Sequence, residues 1–152
     1  GWRVTAVDIA ATALARAGAN AAAAGAPVAE RIDWLQADSR EQEPTPAGYD
    51  LVSSQFMHQP GAVRRALFAR LAAAVAPGGT LLIVGHHPSD LRTTAHRMHA
   101  PDLMFTAEEV AAALDPTHWQ VLVSEARPRP AVDPDGHDIT IHDAVLRARR
   151  TG

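Results

Sequence analysis

Three groups of residues in this chain could do chemistry. The first is Asp8, which closes the run Arg3-Val-Thr-Ala-Val7, with Ile9 beside it. A carboxylate at the tip of a short buried strand is placed to accept hydrogen bonds from the two hydroxyls of a ribose. The second is Asp38, followed by Ser39, just past Ile32-Asp-Trp-Leu-Gln36. The third follows two more apolar segments: Gln55, Phe56 and His58 after Tyr49–Ser54, and His86 and His87 after Thr80–Gly85. Histidine titrates near neutral pH, so His58, His86 and His87 are candidates for substrate contact or for a general base.

Each group has a plainer reading. Asp8 can cap the helix that follows it, and Asp38 can be a turn residue. Met57 reads as core, and His58 as a partly exposed loop residue. Four of the eight histidines, His86, His87, His96 and His99, fall within residues 86–105. Adjacent histidines occur in metal sites. Asp90 and Asp102 are near them, but no carboxylate motif stands at a diagnostic spacing, so no metal is expected, and His96 and His99 read as a solvated helical face. His118, His137 and His142 carry no signal. Asp133, Asp135 and Asp138 lack the twelfth-position Glu of a calcium loop and read as a turn.

Elements that would position these groups are legible from pattern. Arg3–Val7, Ile32–Gln36, Tyr49–Ser54, Thr80–Gly85, Trp119–Ser124 and Ile139–Arg149 read as strands. The Ala-rich stretch 10–24 reads as a helix. A second helix starts near Pro60, with Val63, Leu67, Leu71 and Val75 as its buried stripe, and stops at Ala76-Pro-Gly-Gly79. Thr106 and Glu109 read as a capping box opening a helix through Leu114. Residues 86–105 read as a loop or lid with short helical turns, and Arg127–Gly136 as a long Pro-rich turn. The last strand alternates enough to sit at or near an edge.

The chain has 152 residues, a net charge of −3 and no cysteine. One domain over residues 1–152 is expected. Disulfides, thiolate metal sites and Cys nucleophiles are excluded, and so is a Schiff-base lysine, because all 14 basic residues are Arg. The charge gives no footprint for nucleic acid. No signal peptide and no apolar run of transmembrane length is visible, so no membrane partner and a cytoplasmic location are expected.

The order of segments resembles the class I S-adenosylmethionine-dependent methyltransferases along essentially the whole chain. Four segments carry the resemblance: Arg3–Asp8 with its small-residue helix, Trp34-Leu-Gln-Ala-Asp38, Tyr49-Asp-Leu-Val52, and Leu71–Val84 with its Pro-Gly-Gly turn. The last is the most specific. The resemblance implies a three-layer Rossmann-like α/β sandwich whose sheet is mostly parallel, with one antiparallel strand near the C-terminus. It implies S-adenosylmethionine as cofactor, with Asp8 and Ile9 at the ribose, Asp38 and Ser39 at the adenine, and backbone at Gln55 and Phe56 close by.

The family's first strand and Gly-rich loop have no counterpart here. An N-terminally incomplete domain is therefore expected, with two strand edges left unpaired. Methyl transfer to a small-molecule acceptor is the implied activity. The alternatives are an NAD(P)-binding oxidoreductase domain, which the terminal antiparallel pair disfavours, and a truncated non-catalytic interaction module.

Overall fold

A computed structural model describes residues 1–95 and 100–152. His96 and His99 lie outside the described residues. The chain forms two compact units, Gly1–Glu43 and Pro44–Gly152.

In the first unit, β1 (Val4–Asp8) runs parallel to β2 (Ile32–Gln36), with Val4 opposite Ile32 and Asp8 opposite Gln36. Parallel neighbours need a crossover. Helix α1 (Ala11–Ala23) supplies it, followed by the single turn α2 (Ala26–Ala29) with Pro27 in its first turn. Between them Gly25 turns the chain at a φ of 103°, a conformation open to glycine because it has no Cβ. Val4, Val7 and Trp34 remain 41%, 45% and 38% exposed. Among the described residues β1 pairs only with β2, so its other edge carries no ladder.

The second unit contains strands β3 (Tyr49–Gln55), β4 (Val75–His86), β5 (Trp119–Val132) and β6 (Asp138–Arg150), with helices α3 (Gly61–Ala74) and α4 (Ala107–Ala111). The strands lie in the order β3-β4-β6-β5. Among the described residues of this unit only β3 and β4 pair in parallel; β6 sits between β4 and β5 and is antiparallel to both. The sheet is therefore mixed, which corrects the expectation of a mostly parallel one. The cause is the insertion of one reversed strand between two others, which makes both of its ladders antiparallel.

The Pro-rich stretch expected as a long turn is also corrected. Residues 127–132 continue β5, and Pro128 and Pro130 stand opposite His142 and Thr140. β5 is an edge strand. Two prolines two residues apart place their donor-less nitrogens on the same side, which an open edge tolerates. β6, whose alternation suggested a position at or near an edge, lies one strand in.

Helix α3 begins after Pro60, as expected. Its buried face is Leu67, Phe68 and Ala74, whereas Val63 is 37% exposed and Val75 already belongs to β4. A strict four-residue spacing drifts by about 40° per step around a helix of 3.6 residues per turn, so the far members leave the face. Both arms of the Thr106–Glu109 capping box are present, at 3.2 and 3.3 Å. It seats α4 so that Ala107 and Val110 join Val52, Leu67, Phe68, Leu81, Ile83, Phe105 and Leu146 in one core.

Leu81 retains none of its surface. Replacing Leu81 with Ala is expected to cost about 2–5 kcal/mol by leaving a cavity. Urea unfolding followed by circular dichroism checks this, and a loss well below that range would remove β4 from the core.

Candidate functional site

The first unit ends both of its strands in polar turns. Asp8 Oδ1 accepts the Ala10 N–H at 2.8 Å. Ala10 is the N-cap of α1 and no side chain caps the helix, so Asp8 bends the chain into α1 without capping it. The end of β2 is tied to this turn: Ala37 N donates to the Asp8 carbonyl at 3.1 Å, and Gln36 Nε2 donates to the Ile9 carbonyl at 3.3 Å. Asp8 and Ile9 are exposed. Among the described residues nothing donates to Asp8 Oδ2, so the carboxylate keeps acceptor capacity at the carboxyl end of β1.

Asp38 is differently placed. Its Oδ1 accepts from the Arg40 backbone N at 2.8 Å and from Arg40 Nε at 3.0 Å. Its Oδ2 accepts from Arg40 Nε at 2.9 Å and Nη2 at 2.5 Å. A carboxylate has about four lone-pair sites. All are engaged by one arginine, two residues away. These hydrogen bonds, the guanidinium first, hold the Asp38 carboxyl below its ordinary range.

In the second unit the carboxyl ends of β3 and β4 bring Phe56, His58 and His86 together. The His58 and His86 rings stack at 4.8 Å and 25°, and Phe56 lies 4.9 Å from His86. Phe56 makes this possible with a φ of 53°, a left-handed conformation that costs a non-glycine residue about 1–2 kcal/mol. Its N–H donates to the Val84 carbonyl at 2.8 Å, which fixes the turn against β4. Strain of this kind concentrates at functional sites. Gln55 Nε2 donates to Ser53 Oγ. Met57 packs against the core, as read from the sequence.

His58 Nε2 is buried with no hydrogen-bond partner among the described residues. His87 stands apart from the ring stack, with Nδ1 accepting from the Ser89 N–H at 3.2 Å and lying 2.8 Å from Ser89 Oγ. Among the described residues that follow are the short 3-10 turns Pro88–Arg92 and Pro101–Leu103.

Sequence reasoning passed over Arg64, whose Nη1 donates to the Asp102 carbonyl at 2.8 Å and whose guanidinium lies 5.2 Å over the Phe105 ring. It met Asp90 only as a carboxylate near the histidine cluster and found no signal in His142, because no local pattern pairs the two. Asp133 is spent on the β5–β6 hairpin: Oδ1 accepts from Asp135 N and His137 N, and Oδ2 from Thr94 Oγ1 at 2.8 Å. The turn reading holds for Asp133 and Asp135, whereas Asp138 already opens β6. A cavity of about 520 Å³ between α3 and α4, lined by Phe68, Leu81, Val110, Leu114 and Trp119, holds none of the candidate cofactor or catalytic residues read from the sequence.

Comparison with known proteins places this geometry. A methyltransferase-domain family model matches residues 1–79, just over half of the chain. The chain belongs to that family. The class I resemblance drawn from four short segments is thereby borne out.

No curated protein matches this methyltransferase domain. Among solved structures, the N-methyltransferase NodS of Bradyrhizobium japonicum is similar at 16% identity and a TM-score of 0.68, over 99% of this chain and 74% of that one. TehB of Haemophilus influenzae is similar at 18% and 0.71, over 99% and 50%. The 1,6-didemethyltoxoflavin-N1-methyltransferase of Burkholderia thailandensis, solved with 1,6-didemethyltoxoflavin and S-adenosylhomocysteine, is similar at 21% and 0.57, over 99% and 62%. At these identities the likeness is one of fold. The methyltransferase domain thus spans half to three-quarters of these chains.

The Asp38–Arg40 pair yields a measurable consequence. A carboxyl held low in the folded chain favours folding above the ordinary carboxyl range, and that contribution is lost as pH falls through the lowered value. Arg40→Ala is expected to raise the Asp38 titration toward that of a free aspartate, followed by carbon NMR of the carboxyl. An unchanged titration would show that Arg40 does not hold it.

Proposed function

We propose that this chain transfers a methyl group from S-adenosylmethionine to a small-molecule acceptor. The observation that carries the reading is Asp8, a carboxylate with spare acceptor capacity at the carboxyl end of a parallel strand, in a chain of the methyltransferase-domain family. Ligands of open α/β sheets bind outside the carboxyl ends of the strands. The sulfonium of the bound cofactor supplies an electrophilic methyl group. The work left to the protein is positioning, and removal of a proton where the acceptor carries one.

Asp8 accepts the ribose hydroxyls, and the exposed Ile9 side chain covers the nucleoside beside it. Asp38 and Ser39 take the adenine side. The acceptor sites of Asp38 are filled in this structure, so it receives the adenine amino group in exchange for the Arg40 side chain. At the end of β3 the Phe56 amide is already used by Val84, leaving the carbonyls of Gln55 and Phe56 to face the cofactor. Phe56, His58 and His86 form a ring-lined wall for the acceptor. His87 extends it past the end of β4. A net charge of −3 favours a small acceptor over a nucleic acid.

Calorimetric titration separates this reading from its rivals. S-adenosylhomocysteine is expected to bind and NAD not to, with Asp8→Ala weakening the former by tenfold or more, about 1.4 kcal/mol. Binding of NAD in its place would turn the assignment to an oxidoreductase domain. Binding of neither would turn it to a non-catalytic module.

A further inference from the structure

Within the ring wall, the His58 Nε2 has no partner to orient it among the described residues. His58 is stacked on His86 with its Nε2 buried, and no acid bonds to it among the described residues. His87 uses Nδ1 on Ser89.

A different imidazole at the same end of the sheet is better equipped. Asp90, in the turn after β4, is 2% exposed. Its Oδ1 accepts the backbone N–H of His142 at 2.9 Å, pinning the early part of β6 to that turn. The same oxygen lies 3.7 Å from His142 Nδ1. That distance is too long for a hydrogen bond and close enough for electrostatic attraction. His142 Nδ1 is shut away from solvent, yet the side chain keeps 33% of its surface. The exposed surface therefore belongs to other atoms of the side chain, with Nε2 taken to be among them.

An imidazole with Nδ1 toward a buried carboxylate and Nε2 outward is the arrangement of an oriented general base. Its position suits the role. Asp143 pairs with His86 at the end of β4, His142 is the next residue outward, and its carbonyl accepts from His87 N at 3.2 Å. The His87 and His142 rings are 6.4 Å apart. The next residue, Asp143, forms an ion pair with Arg129 at 2.9 Å.

We propose that His142 takes the proton from the methyl acceptor, with Asp90 as its positioning residue. The inference rests on the methyl-transfer reading above. The acceptor's O–H or N–H proton passes to His142 Nε2. The electron pair left on that oxygen or nitrogen forms the bond to the methyl carbon, as the carbon–sulfur pair returns to sulfur. Asp90 balances the imidazolium, which gives its proton to water through the exposed side of the ring. The acceptor class is thereby a hydroxyl or a proton-bearing nitrogen, not a thioether or tertiary amine, which have no proton to lose.

Two measurements on the whole chain test this without an acceptor in hand. Long-range proton–nitrogen NMR is expected to find neutral His142 as the Nδ1–H tautomer, and Asp90→Val to return it to the Nε2–H form that free histidine prefers. Where that variant does not fold, the tautomer of the unaltered chain decides. Diethyl pyrocarbonate with peptide mass mapping is expected to acylate His142 about as fast as the exposed His118. An Nε2–H tautomer in the unaltered chain, or a His142 that resists acylation, overturns the proposal. The S-adenosylhomocysteine titration reports separately, so failure of the methyl-transfer reading is distinguishable from failure of the His142 assignment.

Discussion

Leu81, Ile83, Leu146 and Ala148 meet across the ladder between β4 and β6 with none of their surface left to water. Fully burying a Leu or Ile side chain contributes about 1.5–3 kcal/mol, and the second unit is organised around this seam. Arg150 Nη1 closes one end by donating to the Val75 carbonyl at 2.6 Å. The other end sets the chemistry. Because Thr80 stands opposite Arg149, six residues later His86 must stand opposite Asp143. A slip of one residue would turn every side chain of β6 to the other face. The same register delivers His142 to Asp90 and places Phe105 where its N–H donates to the His86 carbonyl at 3.4 Å.

The polar groups at strand ends differ in how far they are committed. Asp133 is consumed by its hairpin and Asp38 by Arg40, while Asp8 gives only one oxygen to the chain turn. Commitment decides what a carboxylate can offer a ligand, because each lone pair spent internally must be exchanged before it is available. The strained Phe56 shows the same balance on the backbone. Its left-handed φ is held by a hydrogen bond to Val84 and by ring contact with His86, and it aims an aromatic side chain that an extended residue would point elsewhere.

Several elements were legible because local physics and tertiary packing agree on them. The Ala-rich helix, the capping box at Thr106 and Glu109, and the apolar strand Thr80–Gly85 each follow from propensity or pattern alone. Pro128 and Pro130 misled because proline normally argues against a strand, and only a neighbour count shows that β5 is an edge. Val63 misled because a four-residue spacing is close to, but not the same as, the helical period. The mixed sheet was hidden in the order of strands, which no segment carries within itself.

What the sequence determined by itself was the family and the carboxylates at the strand ends. Those depend on short segments whose residue types are dictated by turns and by burial within a few residues. Tertiary structure alone decided that β6 lies between β4 and β5, that Asp38 is held by Arg40, and that His58 stacks on His86. It also decided that His142 meets Asp90 across 52 residues. Such pairs are set by register and by crossing of the chain, and long-range register is a property of the packed sheet that no local pattern encodes.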